Sequence, residues 1–374
     1  MKTATAAVLR AYDEPLRLES VRIPEVRADE VLVRIHGVGI CHTDLTAAAG
    51  GVPFPLPGVL GHEGSGVIAA VGEGVTGLAP GDPVVLGFDS CRHCRNCSRG
   101  RPAYCEHSAA FNYGGTRADG STTLTDADGA ALHGNWFGQS SMCSYAIASA
   151  RNTIRLPSDV PVALAGPLGC GLQTGAGTVF NVLRPEPGST IAVFGLGAVG
   201  MAAIMAARIA GCETVVAVDP LQSRRALALE LGATTALSPA DVDDVGRAVR
   251  RESSGGVDFA VESVGTEAVV RQALSSLRTP GNCATLGLRP GRNPVTVDQG
   301  HLLHGRTLTG VIEGDADPLK FLPTLVDLWR QGRFPLERLV QTFPIARIDD
   351  AVAAARSGEV VKAVLTFPTD DTGG

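Results

Sequence analysis

"TIAVFGLGAVGMAAI", residues 190–204, runs from an apolar β-type segment through three glycines into an apolar helix-type segment. The glycines are Gly195, Gly197 and Gly200, spaced G-x-G-x-x-G. In a strand–turn–helix each has its own task. The first permits the tight turn, the second lets a pyrophosphate approach the backbone, and the third lets helix and strand pack closely. The helix opening at Ala198, Val199 and Gly200 offers free N–H groups and a positive dipole end to phosphates. The next apolar run, "TVVAVDP", carries Asp219 about 20 residues beyond the turn, where a carboxylate binds the ribose hydroxyls of NAD and repels the 2′-phosphate of NADP. Arg224 and Arg225 follow. With Asp219 in place, Arg224 reads as a ribose partner and the cofactor as NAD. The charge-free run of residues 191–207 reads as strand, turn and helix, because glycines punctuate it, and not as a membrane span.

The surroundings agree with a dinucleotide fold. Over residues 172–312 apolar runs ("TIAVFG", "TVVAVD", "VDFAVESVG") alternate with helical stretches ("VGMAAIMAARIAG", "SRRALALELGA"). Such alternation predicts an α/β domain with a doubly wound parallel sheet. Residues 1–171 read differently. Short β-like runs ("EVLVRIHGVG", "GSGVIAAVG", "DPVVLGF", "SYAIA") are broken by Gly and Pro, which predicts a mainly β domain. Residues 313–374 return to mixed segments, end in the strand-like "KAVLTF" and are expected to complete the first domain. Two domains suit 374 residues. A composition 44% hydrophobic and 19% charged supports a large core and excludes general disorder. A net charge of −6 gives no bulk attraction to nucleic acid or anionic membranes, so neither partner is expected. The N-terminal "MKTATAAVLRAYDEPLRLE" meets charges too early for a secretory signal.

Nine cysteines are present. Cys91, Cys94, Cys97 and Cys105 lie in "CRHCRNCSRGRPAYC", spaced C-x2-C-x2-C-x7-C. Four thiolates folded round one ion suit a closed, structural zinc site; an iron–sulfur cluster has no other support. CxxC spacing without a secretory signal reads as metal ligation in a reducing cytoplasm. Arg92, Arg95, Arg99 and Arg101 punctuate this stretch, but a nucleic-acid knuckle wants interleaved aromatics and only Tyr104 is there, so a solvated lobe is expected. Three other stretches carry donors: "GICHTDLTAAAG" (Cys41, His42, Thr43, Asp44), "GVLGHEGSGVI" (His62, Glu63) and "GPLGCGLQTGAG" (Cys170). Singly, His62 reads equally as a loop histidine and Cys170 as a small buried apolar residue. Together, Cys41, His62 and Cys170 provide the ligands of a catalytic zinc with its fourth position open.

These motifs, in this order, resemble the zinc-dependent medium-chain alcohol dehydrogenases over essentially the whole chain: "GICHTD", "GHEGSGVI", the four-cysteine lobe, "LGCGLQTGAG", "GLGAVG" and the ending "SGEVVKAVLTF". "AYCEHSAAFNYGG", "FGQSS" and "GVIEGDADPLKFLP" are similar to the aryl- (benzyl-) alcohol dehydrogenase branch. The resemblance implies a Rossmann cofactor domain and a GroES-like catalytic domain, two zinc ions per chain (one catalytic, one structural), and hydride exchange between NAD and a primary, aromatic or allylic alcohol. It assigns Cys41, His62 and Cys170 as catalytic zinc ligands, Asp44 as the carboxylate orienting His62, and Thr43 as the hydroxyl that takes the alcohol proton. Glu63 becomes the acid behind the zinc. His42 and Lys362 become pyrophosphate partners, and Phe88, Trp136 and Phe137 the substrate wall. Relatives are homodimers or homotetramers. One departure is visible: Thr46 stands where several relatives end a proton relay in histidine. A thiol-dependent formaldehyde dehydrogenase uses the same zinc chemistry and is the rival activity; a non-enzymatic zinc- and nucleotide-binding protein is the rival class.

Overall fold

The computed structural model describes residues 1–368. Two compact units emerge. The first comprises Met1–Cys170, Asp317–Asp327 and the chain from Leu336; the second comprises Gly171–Ala316 and Leu328–Pro335. Residues 313–316 and 328–335, expected with the mainly β part, therefore group with the second unit.

The first unit is built on two sheets. In the smaller, Gly58–Val59, Lys2–Leu9, Arg17–Ile23, Leu124–Asp126 and Ala131–Leu132 lie side by side, all antiparallel. In the larger, the order is Thr153–Arg155, Pro83–Leu86, Gly64–Val71, Glu30–Gly39, Lys362–Thr366 and Val340–Pro344, and Tyr145–Ser149 also pairs with Glu30–Gly39. Glu30–Gly39 is therefore the hub. Its apolar residues Val31, Leu32, Val33, Ile35 and Val38 are all buried, which is why "EVLVRIHGVG" carries β-branched residues on both faces. Two consequences matter for chemistry. Pairing of Val38 with Gly64 sets the end of "GVG" beside the start of "GSGVI", so Cys41 and His62 leave neighbouring strand ends. Pairing of Val364 with Gly39 brings the C-terminal strand, and Lys362, to the same edge.

The second unit carries one six-stranded, all-parallel sheet in the order Thr235–Leu237, Thr214–Val218, Thr190–Phe194, Val257–Glu262, Leu277–Thr285, Arg306–Gly310. Numbered along the chain these strands run 3-2-1-4-5-6, the doubly wound order of dinucleotide-binding folds. The first strand lies at the centre, and the Gly-rich turn leaves it at the switch point where strand order reverses. The following helix, Ala198–Ile209, is almost wholly buried, which explains its run of alanines and its lack of charge until Arg208. Among the described residues, no helix is long and apolar enough to cross a membrane.

Candidate metal centre and dinucleotide turn

Cys41 caps the N-terminus of the short helix His42–Ala48, and its N–H donates to Oδ2 of Asp44 at 3.1 Å. The other oxygen of Asp44, Oδ1, accepts from Nδ1 of His62 at 2.7 Å, from Nε1 of Trp136 at 2.9 Å and from the Gly61 N–H at 3.2 Å. An imidazole that donates through Nδ1 leaves Nε2 as the nitrogen able to bind a metal. Nε2 is buried and has no hydrogen-bond partner. It faces the thiols of Cys41 and Cys170 and the carboxylate of Glu63, with the four donor atoms within 4.8 Å of one another.

The electrostatics of this cluster favour a cation. The hydrogen bond from Cys170 holds the Cys41 thiol well below the ordinary thiol range despite burial, with help from Lys362 and His62. Burial alone would lower His62, but Asp44 and Cys41 raise it well above the usual histidine value. Thiols and an imidazole nitrogen, all desolvated, form a donor set suited to a borderline-soft divalent ion such as zinc, which would displace the protons they carry. Thr43 lies alongside, its hydroxyl 3.7 Å from the Cys41 sulfur.

Behind this group lies a buried ion pair. Nζ of Lys362 donates to Oε1 of Glu63 at 2.8 Å and to the Ile40 carbonyl at 3.2 Å, with both side chains at most 5% exposed. Burial raises the Glu63 carboxyl and Lys362 opposes it; the Lys362 ammonium is raised, because Glu63 and Cys41 outweigh its burial. Gly39 makes room for this arrangement, since a Cβ there would stand 2.0 Å from Glu63 Oε2. Lys362, expected on a pyrophosphate, here pairs with Glu63, because the Val364–Gly39 register brings it to that strand edge.

The expected substrate wall also needs correction. Trp136 has no accessible surface (0%) and packs edge-on against Phe54 and Phe137. A ring with no accessible surface has no face to offer a ligand; its indole N–H serves Asp44 instead. Phe137 stacks on the His62 ring, with centroids 4.3 Å apart and planes at 22°. Phe88 is buried. His42 is exposed. Thr46 is buried, and its hydroxyl donates to the His42 carbonyl at 2.8 Å, an intrahelical bond.

The four-cysteine lobe is assembled as its spacing suggests, with the sulfurs of Cys91, Cys94, Cys97 and Cys105 within 4.8 Å of one another. Backbone N–H groups of Cys94 and Glu106 point at the sulfurs of Cys91 and Cys94 at 3.2 and 3.5 Å. Bonds from the backbone of Cys97 and Glu106 hold the Cys94 thiol down to about 6, while burial pushes Cys97 up to about 12. Arg92 is not a solvated charge: it pairs with Asp317 at 2.6 Å and with the Arg151 carbonyl, tying the lobe to the first unit's core.

In the second unit the three glycines differ as their order predicts. Gly195 has φ +87°, and a Cβ on Gly200 would stand 1.9 Å from the Gly195 carbonyl oxygen. A Cβ on Gly197 would meet nothing within 4 Å, so the space above the second glycine is open at the N-terminus of the Ala198–Ile209 helix. Such a cradle fits a dinucleotide pyrophosphate on the N–H groups of Ala198, Val199 and Gly200. Asp219 accepts from the Leu196 and Leu221 N–H groups, one on each oxygen, both at 2.8 Å. Arg224, expected on ribose, is buried and donates to the Leu196 carbonyl at 3.2 Å, so it braces the turn from below.

Two buried polar residues carry networks that their local sequence does not announce. Gln139 bonds both sides of the His62–Glu63 pair, with Nε2 to the His62 carbonyl and Oε1 from the Gly64 N–H, each at 3.0 Å. Glu313, buried in the second unit, accepts from Gln173 at 2.9 Å and sits in a run of positive φ over residues 313–315. A glutamine in "FGQSS" and a glutamate in "IEGD" were the available signals, since amides and carboxylates inside apolar runs need internal partners.

Comparison with known proteins agrees with this geometry. Residues 27–158 match the alcohol dehydrogenase GroES-like domain, and residues 198–328 match the zinc-binding dehydrogenase family. The chain is 44% identical over 367 residues to a geraniol dehydrogenase of Castellaniella defragrans, covering 98% of each. It superposes on an alcohol dehydrogenase zinc-binding domain protein from Burkholderia ambifaria with TM-score 0.96 and 49% identity, covering 98% of this chain and 100% of that one. It superposes on benzyl alcohol dehydrogenase from Acinetobacter calcoaceticus with TM-score 0.95 and 38% identity, with the same coverages. Donor cluster, Gly-rich turn, domain matches and full-length similarity together make the chain a member of the zinc-dependent medium-chain alcohol dehydrogenases, enzymes that use a nicotinamide cofactor.

Proposed function

We propose that this enzyme interconverts a primary alcohol, with an aryl or allylic carbon next to the carbinol, and its aldehyde, using NAD in preference to NADP. The observation that carries the reading is the Cys41, His62 and Cys170 donor cluster with the Thr43 hydroxyl beside it. The substrate class is supported by the geraniol and benzyl alcohol dehydrogenases, whose similarity to this chain spans nearly its full length.

Cys41, His62 and Cys170 would hold a catalytic zinc, and Cys91, Cys94, Cys97 and Cys105 a structural one. When bound, the zinc supplies Lewis-acid polarisation of the substrate oxygen and the nicotinamide supplies the hydride acceptor. Asp44 keeps the proton on Nδ1 of His62, so that Nε2 stays a donor. Thr43 accepts the alcohol proton at Oγ1 while giving its own hydroxyl proton to water, because the Thr46 hydroxyl is tied to the His42 carbonyl. The Glu63–Lys362 pair places a carboxylate behind the thiols while neutralising its charge. Ala198, Val199 and Gly200 bind the pyrophosphate through backbone N–H groups. Asp219 accepts from the ribose hydroxyls and disfavours a 2′-phosphate.

Function in a reducing cytoplasm suits the nine free thiols. A homo-oligomer suits the edge strand Arg306–Gly310, which pairs on one side only, and the exposed Leu302 and Leu303 beside it. The deciding experiment is kcat/KM for benzyl alcohol, geraniol, ethanol and their aldehydes with NAD(H) and NADP(H). A marked preference for benzyl alcohol or geraniol with NAD supports the reading. Ethanol as the best substrate, or formaldehyde oxidation that needs an added thiol, overturns it.

A further inference from the structure

Residues 135–142 form a clasp round His62. Besides the two bonds from Gln139, the Ser141 and Met142 N–H groups donate to the Gly61 and Leu60 carbonyls at 2.8 and 3.0 Å, and the Ser140 hydroxyl donates to the Val59 carbonyl at 2.6 Å. Within the clasp Asn135, Phe137 and Ser140 have φ of 61°, 51° and 52°. Residues other than glycine hold that conformation only where their surroundings over-determine it, and such strain clusters at functional sites.

The clasp reaches His62 in two ways. Phe137 lies flat on the imidazole. Trp136 acts through Asp44, whose four donors come from three segments: the Cys41 N–H from its own turn, the Gly61 N–H and His62 Nδ1 from the next strand end, and Trp136 Nε1. The first three tie Asp44 to residues beside the ligands themselves. The indole is the donor that ties Asp44 to a more distant segment of the chain, where its ring is packed by Phe54, Tyr113 and Phe137.

We propose that Trp136 is a positioning residue of the Cys41–His62–Cys170 metal site: its indole N–H locks Asp44 so that His62 presents Nε2 to the metal. The inference rests on the reading of those three residues as ligands. Because Trp136 has no accessible surface, it acts on metal retention and not by touching substrate.

The test uses the zinc-loaded protein, a chromogenic chelator and cobalt substitution. Trp136→Phe keeps an aromatic ring and drops the N–H. It is expected to speed release of one metal equivalent by about 10-fold or more, the usual effect of losing a partner of a ligand histidine, and to shift the cobalt d–d bands. The equivalent held by the four-cysteine lobe should leave at the parent rate. The isosteric benzothienyl analogue of tryptophan, introduced at position 136 in a Trp329→Phe background, removes only the N–H and should give the same result should Trp136→Phe fail to fold. Release rates and cobalt bands equal to the parent's with that analogue would overturn the proposal and leave Trp136 a packing residue. A parent protein whose metal content is indifferent to His62→Ala would instead overturn the ligand reading beneath it.

Discussion

Oδ1 of Asp44 and Nδ1 of His62 stand 2.7 Å apart, and each side chain is only 1% exposed. A buried carboxylate that takes its proton partner from one imidazole nitrogen dictates what the other can do. Asp44→Asn is therefore expected to weaken binding of one zinc by about 10- to 100-fold. The amide also leaves Trp136, Gly61 and Cys41 competing for one acceptor oxygen. Chelator competition with elemental analysis would check this, the four-cysteine zinc serving as the internal standard.

Thr43 and Thr46 are separated by one turn of helix and should behave differently. Removing the Thr43 hydroxyl (Thr43→Ala) is expected to lower kcat by about 100-fold or more, the scale of a lost proton-transfer group, while Thr43→Ser retains most activity. Thr46→Ala loses only a bond to the His42 carbonyl, costing about 1 kcal/mol of stability, and its pH–rate profile should match the parent's. A profile displaced by Thr46→Ala would place that hydroxyl in the relay.

Asp219 has both oxygens engaged by backbone N–H groups. Asp219→Asn should therefore lower kcat/KM with NAD and raise the relative use of NADP, and should also loosen the Gly195–Leu196 turn. Steady-state kinetics with both cofactors measure the first effect, and amide hydrogen exchange of the turn measures the second. His42→Arg places a permanent charge at an exposed position and is expected to tighten NADH binding several-fold, read by fluorescence titration.

The four-cysteine lobe is tied to the core through Arg92 and Asp317. Its sulfurs are close-set and mutually repelling once ionised, so the lobe should depend on its metal. Cys97→Ser is expected to release one zinc and cause a local loss of protection over residues 91–112, followed by hydrogen exchange, while the other zinc remains bound.

The elements that were legible share a property: their constraints act within a few residues. Gly195, Gly197 and Gly200 answer to one turn, and the alternation of "TIAVFG" and "TVVAVD" with helices answers to one sheet. Cys91 to Cys105 gather their sulfurs into one cluster. The contacts that the local sequence does not announce are those whose partners lie far along the chain. Lys362 and Glu63 are 299 residues apart, and Trp136 and Asp44 are 92 apart. Nothing near Lys362 says that its ammonium will turn inward, and nothing near Trp136 distinguishes a substrate wall from an indole donor.

The amino-acid sequence by itself determined the doubly wound sheet, the Gly-rich turn, the two clusters of donor side chains and the family, because glycine conformations, thiol chemistry and hydrophobic periodicity are local properties of the chain. The tertiary structure alone decided which charges and rings serve those sites. Strand registers such as Val364 with Gly39, and the clasp that closes over His62, bring distant polar groups into a desolvated interior. There every donor and acceptor has to be answered, and the answer depends on where the backbone has placed the other side chains.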